Sequence, residues 1–457
     1  MPYPIYIGQK CLKVKKYKFL FLGFLYLQTY AQKDSSLADW FRGGTFKGHF
    51  RFVNSVTINE GKSKDYYANA LGGGVRYETP EHKGFTGAIS GYCIFNVGST
   101  DLTTLDSISN SSNRYEIGLF DMEHPDNKMD MDRLEEFYVQ YHQGNLRFKL
   151  GRQLIESPLV NGQDGRMRPT ELSGITTNYS IKKHMLSLNY FWAASPRGTT
   201  RWSPIEVAMG IWPQGYDAEG DKLHYHGTID SKGLFALADE IRFKKSSFSY
   251  WAYWIENVHE TNYLEYKQEI AKDSNMTINL CVQGILQYGT PNRGTNTYLR
   301  IGHRSQVMGL KVSILRKQNS YFVASNYFFG GDPFLFPREL GREPFYAVFT
   351  RERLEGCASA LALAIGDEIR WKHVKTLLSI AYYKLPNPMD PNNNRYKVPS
   401  LIHLNLRNTI HFEKYLHGMD LSWLITLKLA EKQELSDDFL ANKANMLHSA
   451  LVLNYHF

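Results

Sequence analysis

The residues with the most chemistry to offer lie between Asn145 and Gly174, NLRFKLGRQLIESPLVNGQDGRMRPTELSG. Arg147 and Lys149 alternate with Leu146, Phe148 and Leu150, the period of a strand with one basic and one apolar face. After Gln153 the period stops, and Pro158, Gly162, Gly165, Pro169 and Gly174 break any sustained strand or helix. The rest of the stretch is a long irregular loop carrying Asp164, Arg166, Arg168 and Glu171, and loops of such length inside a regular array are usually functional or disordered. Its aliphatics, Leu159, Val160, Met167 and Leu172, argue against simple disorder. Bases held beside a narrow aqueous path draw in anions or carboxylates, because low-dielectric walls focus their field. That is binding chemistry. No nucleophile elbow, phosphate loop or clustered metal motif occurs, so neither enzyme activity nor a cofactor is expected.

This stretch resembles the signature of the OprD-type outer-membrane porins, the outer membrane carboxylate channels. Gly151-Arg152-Gln153, Pro158-Leu159, Asp164-Gly165-Arg166, Pro169 and Gly174 match the family's run residue by residue. The family pattern has an apolar residue where Arg168 stands. The resemblance implies a strand that feeds a loop folded into a barrel to narrow its pore. It further implies 18 antiparallel strands, short periplasmic turns, longer outer loops, and a basic ladder on the wall opposite acidic loop groups. Lys47, Arg51, Arg370, Lys372 and Arg407 are added as wall candidates. For each of these bases the competing reading is simple solvation in a wide lumen.

Such a loop needs strands to carry it, and the chain repeats one theme from Thr45 onward. Phe46, Gly48, Phe50 and Phe52 alternate with Lys47, His49 and Arg51; Leu421, Trp423, Ile425 and Leu427 alternate with Ser422, Thr426 and Lys428. A soluble sandwich turns its charged face to bulk water, whereas a transmembrane barrel turns it to an aqueous lumen and its aromatic face to lipid. Periodicity does not separate the two. The last strand does so better: Leu447, Leu451, Leu453, Tyr455 and Phe457 share a face, and a terminal aromatic strand ending in Phe resembles the signal read by the outer-membrane barrel assembly machinery. The fold expected is therefore all-β, a transmembrane antiparallel barrel with an inward constriction loop. Aromatics at 14% (30 Tyr, 26 Phe) and 36 Gly suit aromatic girdles and glycine-rich turns.

Compartment comes from the N-terminus. Lys10, Lys13, Lys15, Lys16 and Lys18 precede nine apolar residues, 19–27, and Thr29-Tyr30-Ala31 supplies a small-x-small site, which together describe a signal peptide over residues 1–31. A nine-residue run is too short to anchor a helix across a bilayer. Removing those five lysines leaves 48 of 53 basic residues against 45 acids, so the basic balance is mostly targeting and no nucleic-acid footprint remains. Residues 32–457 then form one domain in the outer membrane of a Gram-negative bacterium. Cys93, Cys281 and Cys357 are too few and too scattered for a disulfide framework or a zinc site.

Three further features carry bland and sharp readings together. Trp202, Trp212, Trp251 and Tyr253 could form a sugar track or, more commonly, loop packing and girdle. His224-Tyr225-His226 could hold a metal, but lacks a third ligand in reach. Residues 330–356, dense in Arg338, Arg342, Arg351 and Arg353 with Glu339, Glu343, Glu352 and Glu355, read as a salt-bridged outer loop dipping into the mouth. The function expected is passive, selective diffusion of small solutes such as amino acids or other carboxylates. Alternatives are a saccharide or peptide porin, or an adhesin-like barrel with an occluded lumen. Outer-membrane lipid and lipopolysaccharide are the expected surroundings, and a homotrimer is one assembly the resemblance allows.

Overall fold

The computed structural model describes residues 41–163, 165–273, 275–290, 298–300, 302–413, 416–431 and 440–457; the expected signal peptide, residues 1–31, and Asp164 lie outside them. Strands form where the alternation is, because a pleated chain can present an apolar side to lipid and a polar side inward without leaving any backbone group unpaired. Eighteen strands of eight residues or more make one antiparallel sheet, and a two-residue extension at Ser203–Pro204 completes its nineteen segments. The first strand, Thr45–Asn59, pairs along its length with the last, Met446–His456, so the sheet closes on itself. Closure removes the strand edges that hydrocarbon could not solvate. Among the described residues no helix is long and apolar enough to cross a membrane.

The two faces differ as a membrane barrel requires. Outward positions expose Phe46, Phe50, Val75, Phe137, Leu188, Trp192, Leu363 and Tyr455. The alternating inward positions bury Ser55, Thr57, Gln283, Gln287, Asn326, His403, Thr426 and Lys428. Buried polar side chains on a strand face mean that something polar packs against them. Connections at one end of the barrel are two to seven residues long; at the other they include residues 100–130, 154–170, 196–233 and 329–360. The terminal Phe457 lies at the short-turn end, where its backbone exchanges hydrogen bonds with Gly48 (2.7 and 3.0 Å) and its ring stacks on Tyr455 at 5.5 Å.

Glycine decides the geometry beside the constriction loop. Gly151 faces Gly174 across the ladder, and Gly151 has φ +128, where L side chains are strained. A Cβ on Gly151 would fall on the Phe137 carbonyl oxygen, and one on Gly174 on that of Tyr190. The pair therefore lets neighbouring backbones close up where the strand Leu146–Gln153 releases the chain into its loop. Gly151→Ala should lower stability by roughly 3 kcal/mol or block refolding, because strain and collision act together. Gly144→Ala, at φ +56 with open space around it, should cost about 1 kcal/mol. Denaturant midpoints in detergent micelles compare the two; equal midpoints would contradict this reading.

Candidate pore constriction

Four long loops turn into the barrel, and side chains of its wall hold them. Loop 154–170 is tied to the first strand by Arg51, whose Nη1 donates to the Arg166 carbonyl at 2.7 Å while its Nε donates to Asn454 at 2.7 Å. From the opposite wall the Tyr253 hydroxyl donates to Ser157 Oγ (3.1 Å) and accepts from Leu159 N–H (3.4 Å). Tyr253 stacks on Trp251 at 5.8 Å, so both aromatics serve as loop packing. Loop 100–130 is held by Ser55 and Thr57, whose hydroxyls donate to Glu116 Oε1 at 2.9 and 2.8 Å. Gly72 leaves space on the wall for Met167: a Cβ there would lie 2.8 Å from its Cε.

Loop 329–360 is held in the same way. Gln287 donates to the Leu335 carbonyl (2.6 Å) and accepts from its N–H (3.0 Å), as a neighbouring strand would. Gln283 donates to the Pro344 carbonyl at 3.1 Å, Asn326 accepts from Ala347 N–H at 2.9 Å, and the Tyr383 hydroxyl accepts from Phe349 N–H at 3.1 Å. The two central loops also bond each other: Asn161 donates to the Arg342 carbonyl (2.9 Å) and Thr170 to that of Glu339 (3.1 Å). Residues 330–356 do carry ion pairs and do enter the barrel. Arg338 meets Glu355 at 2.5 Å, Arg353 pairs with Glu343, and wall Lys428 meets Glu352 at 2.8 Å with both side chains wholly buried.

Several of the charges left over after these pairings lie close together. Burial, followed by the fields of Arg166, Arg353, Arg342 and Arg351, pushes the Arg197 guanidinium well below its usual range. Arg351 is lowered by burial and next by Arg166. Tyr115 lies under this group, its ring 5.8 Å from Arg166 and 5.5 Å from Arg351. Arg166 Nη1, Arg197 Nε and Arg351 Nε are buried without a hydrogen-bond partner. Beside them a cavity of about 220 Å³ is lined by Arg342, Glu343, Thr350, Asn405 and Arg407 among others. There Arg407 spends one nitrogen on Thr350 Oγ1 (2.7 Å), and Glu343 is already taken by Arg353. Converging guanidinium groups with spare donors suit a carboxylate or another anion.

The residues singled out from sequence fall into three groups. Arg51, Arg166 and Arg407 meet at or beside the arginine group. Arg147 and Lys149 lie on the inward face nearer the short-turn end, Lys149 4.2 Å from the Tyr138 ring; Lys47 shares the inward face of Arg51, and Arg370 pairs with Glu368 at 2.6 Å. The remainder stand elsewhere. Lys372 occupies a short turn after the strand Leu361–Trp371 at φ +50 and is no part of the wall. Arg168 is 1% exposed, beneath the loop, and Glu171 is buried as the first residue of its strand. Arg152 shares the outward face of Leu150 and stacks 4.8 Å from Trp202. Gln153 is buried and accepts from Thr176 Oγ1 at 3.0 Å, and the Pro169 carbonyl accepts from Arg133 at 2.9 Å. Pro158 contributes its carbonyl to Asn161 Nδ2 at 3.3 Å.

Sequence reasoning passed over Arg197 and the wall residues Gln283, Gln287, Asn326, Tyr383 and Lys428. The signal was present: amides at inward positions of otherwise apolar strands, as in TINLCVQGILQYG. Asp121 is buried and accepts from Thr200 Oγ1 at 2.7 Å. His226 donates through Nδ1 to the Met209 carbonyl at 3.0 Å. The cysteines Cys93, Cys281 and Cys357 are all free.

A model of the family described as "outer membrane porin, OprD family" matches residues 83–338, just over half of the chain. Curated protein sequences give no match. Among solved structures, Pseudomonas aeruginosa OccK9 (OpdG) aligns with a TM-score of 0.72 at 13% identity, over 92% of this chain and 99% of its own. Acinetobacter baumannii OccAB4 gives 0.71 at 12%, over 91% and 98%. Pseudomonas aeruginosa OccD3 (OpdP) gives 0.68 at 12%, over 91% of each. Identities this low speak for the fold alone; the eighteen-strand barrel is common to them.

The Lys428–Glu352 pair makes the loop attachment testable. Burial alone would raise the Glu352 carboxyl, but Lys428 and Arg114 bring it down to about 2. A carboxylate depressed in the fold stabilises fully above its ordinary value of 4.5, and that contribution is lost as pH falls toward 2. Glu352→Gln should cost about 3 kcal/mol by stranding a buried ammonium. It should also render loop 329–360 protease-sensitive at neutral pH, a state the parent protein reaches only in strong acid. Equal cleavage of parent and variant across the range would contradict this.

Proposed function

The chain belongs to the OprD family of outer membrane porins, and from that premise we propose that its constriction selects small carboxylate-bearing solutes, amino acids among them, for passive diffusion. As a porin it is a channel of the Gram-negative outer membrane. The observation that carries the finer reading is the meeting of Arg166 and Arg351 over the Tyr115 ring, at 5.8 and 5.5 Å, within reach of the fields of Arg197, Arg342 and Arg353, with donor nitrogens of Arg166, Arg197 and Arg351 unspent. A hydrated carboxylate entering this space exchanges water for N–H donors already fixed in place, so little reorganisation opposes its passage. The donors must hold it weakly enough to release it. A small set of arginines, several of them close together, meets that need better than one ideal bidentate clamp, because each guanidinium competes for the same ligand. Inward bases Lys149, Arg147, Lys47 and Arg370 continue the positive path toward the short-turn end, which the family reading makes periplasmic.

No second reading has an observation of comparable weight: of the aromatics suggested for a sugar track, Tyr253 holds loop 154–170 with Trp251 stacked on it, Trp212 lies against Arg197, and Trp202 packs on outward Arg152. Assembly into a homotrimer and recognition of Tyr455 and Phe457 by the assembly machinery belong to the same proposal.

Liposome swelling tests it. Proteoliposomes should take up a small monocarboxylate several-fold faster than a neutral sugar of similar size. Arg197→Ala with Arg351→Ala should remove most of that preference while leaving sugar entry unchanged or slightly faster. A double variant with the parent's preference would show that these arginines do not select.

A further inference from the structure

Apart from the solute path, loop 154–170 ends in Met167-Arg168-Pro169 against the wall formed by Tyr66–Glu78, Phe85–Ser99 and Met131–Gln143. Met167 fills the gap over Gly72, in contact with the region of Tyr92. Next to it Arg168 is 1% exposed, and its Nε, Nη1 and Nη2 are all buried with no hydrogen-bond partner. It makes no ion pair with any described residue.

The neighbouring groups do not relieve it. Glu135 pairs with Arg133 at 3.0 Å. Asp121 accepts from Thr200 Oγ1 at 2.7 Å and from Glu123 N–H at 3.1 Å. Arg133, itself buried, donates through Nη1 to Ser195 Oγ (2.9 Å) and through Nη2 to Glu135 and the Pro169 carbonyl (2.9 Å). Its Nε is unpartnered as well. Glu171, three residues beyond Arg168, leaves Oε2 buried and unpartnered rather than meeting the guanidinium. Glu135 and Asp121 act on Arg168 only from a distance, so its guanidinium is buried with neither an ion pair nor an acceptor, which is costly, and Arg133 beside it adds one more open donor.

We propose that Arg168, with the Nε–H of Arg133, holds one small monovalent anion of the chloride class behind the constriction loop. The anion supplies the acceptor that these donors lack. Its size follows from enclosure: a residue 1% exposed gives no route or room to a solute-sized carboxylate. Because Arg133 bonds the Pro169 carbonyl and Ser195 together, the anion joins loop 154–170 to the strands on either side of it. Its effect is on how firmly the loop is seated, whatever solute the pore transports.

The test is thermal unfolding of the refolded, full-length mature chain in detergent at fixed ionic strength, with gluconate replaced stepwise by chloride. The parent Tm should rise by several degrees and saturate, and Arg168→Leu should show no rise. If Arg168→Leu does not refold, Arg133→Lys keeps the charge but not the fork and should respond at least several-fold more weakly. A parent Tm indifferent to chloride would overturn the proposal, as would variants that respond as the parent does. Ion preference of Arg168→Leu in a bilayer should equal the parent's, which separates this site from failure of the pore reading.

Discussion

Everything inside this barrel depends on giving backbone partners to loops that have left bulk water. An irregular chain inside a protein keeps its carbonyls and amides only if something bonds them. The wall provides that. Gln287 treats Leu335 as a strand neighbour would, and Gln283, Asn326 and Tyr383 do the same for residues farther along the loop. Arg51 and Tyr253 hold loop 154–170 from opposite sides. The inward face of the barrel is therefore a template for loops, and the solute path is what they leave open.

Charge follows from that arrangement. Arginines and glutamates brought inward must pair or remain costly, and several pair fully: Arg338 with Glu355, Arg353 with Glu343, Lys428 with Glu352. These pairs fix the loop 329–360. Arg166, Arg197 and Arg351 are left with unpartnered nitrogens, and their cost is borne by the surrounding attachments. Buried strain of this kind is usually kept where it has a use. Paired charges hold the loops in place, and the open donors of Arg166, Arg197 and Arg351 are those on which the proposed selectivity rests.

Much of the fold was legible because alternation is a local property. Phe46 to Phe52 and Leu421 to Lys428 read as strands from spacing alone, and the GRQ to Gly174 run placed the inward loop. What alternation does not encode is which polar side meets solvent and which meets another loop. Gln283 and Gln287 look like ordinary lumenal polarity until the segment 329–360 lies against them. Arg166 was found because it sits in a recognisable motif. Arg197 gives no such signal, because it comes near Arg166 and Arg351 only when loops distant in sequence meet. Arg168 differs again: two residues from Arg166 and on the same loop, it is turned under that loop by Met167 seating over Gly72, a contact between positions far apart in the chain.

The most direct measurement is the zero-current potential of single refolded barrels in a planar bilayer under a tenfold salt gradient. The arginine group predicts discrete openings with a potential displaced toward that of the anion, diminishing when a small carboxylate is added and competes for the same donors. A potential displaced toward the cation, or a membrane that remains silent, would contradict the account of a carboxylate-selecting pore.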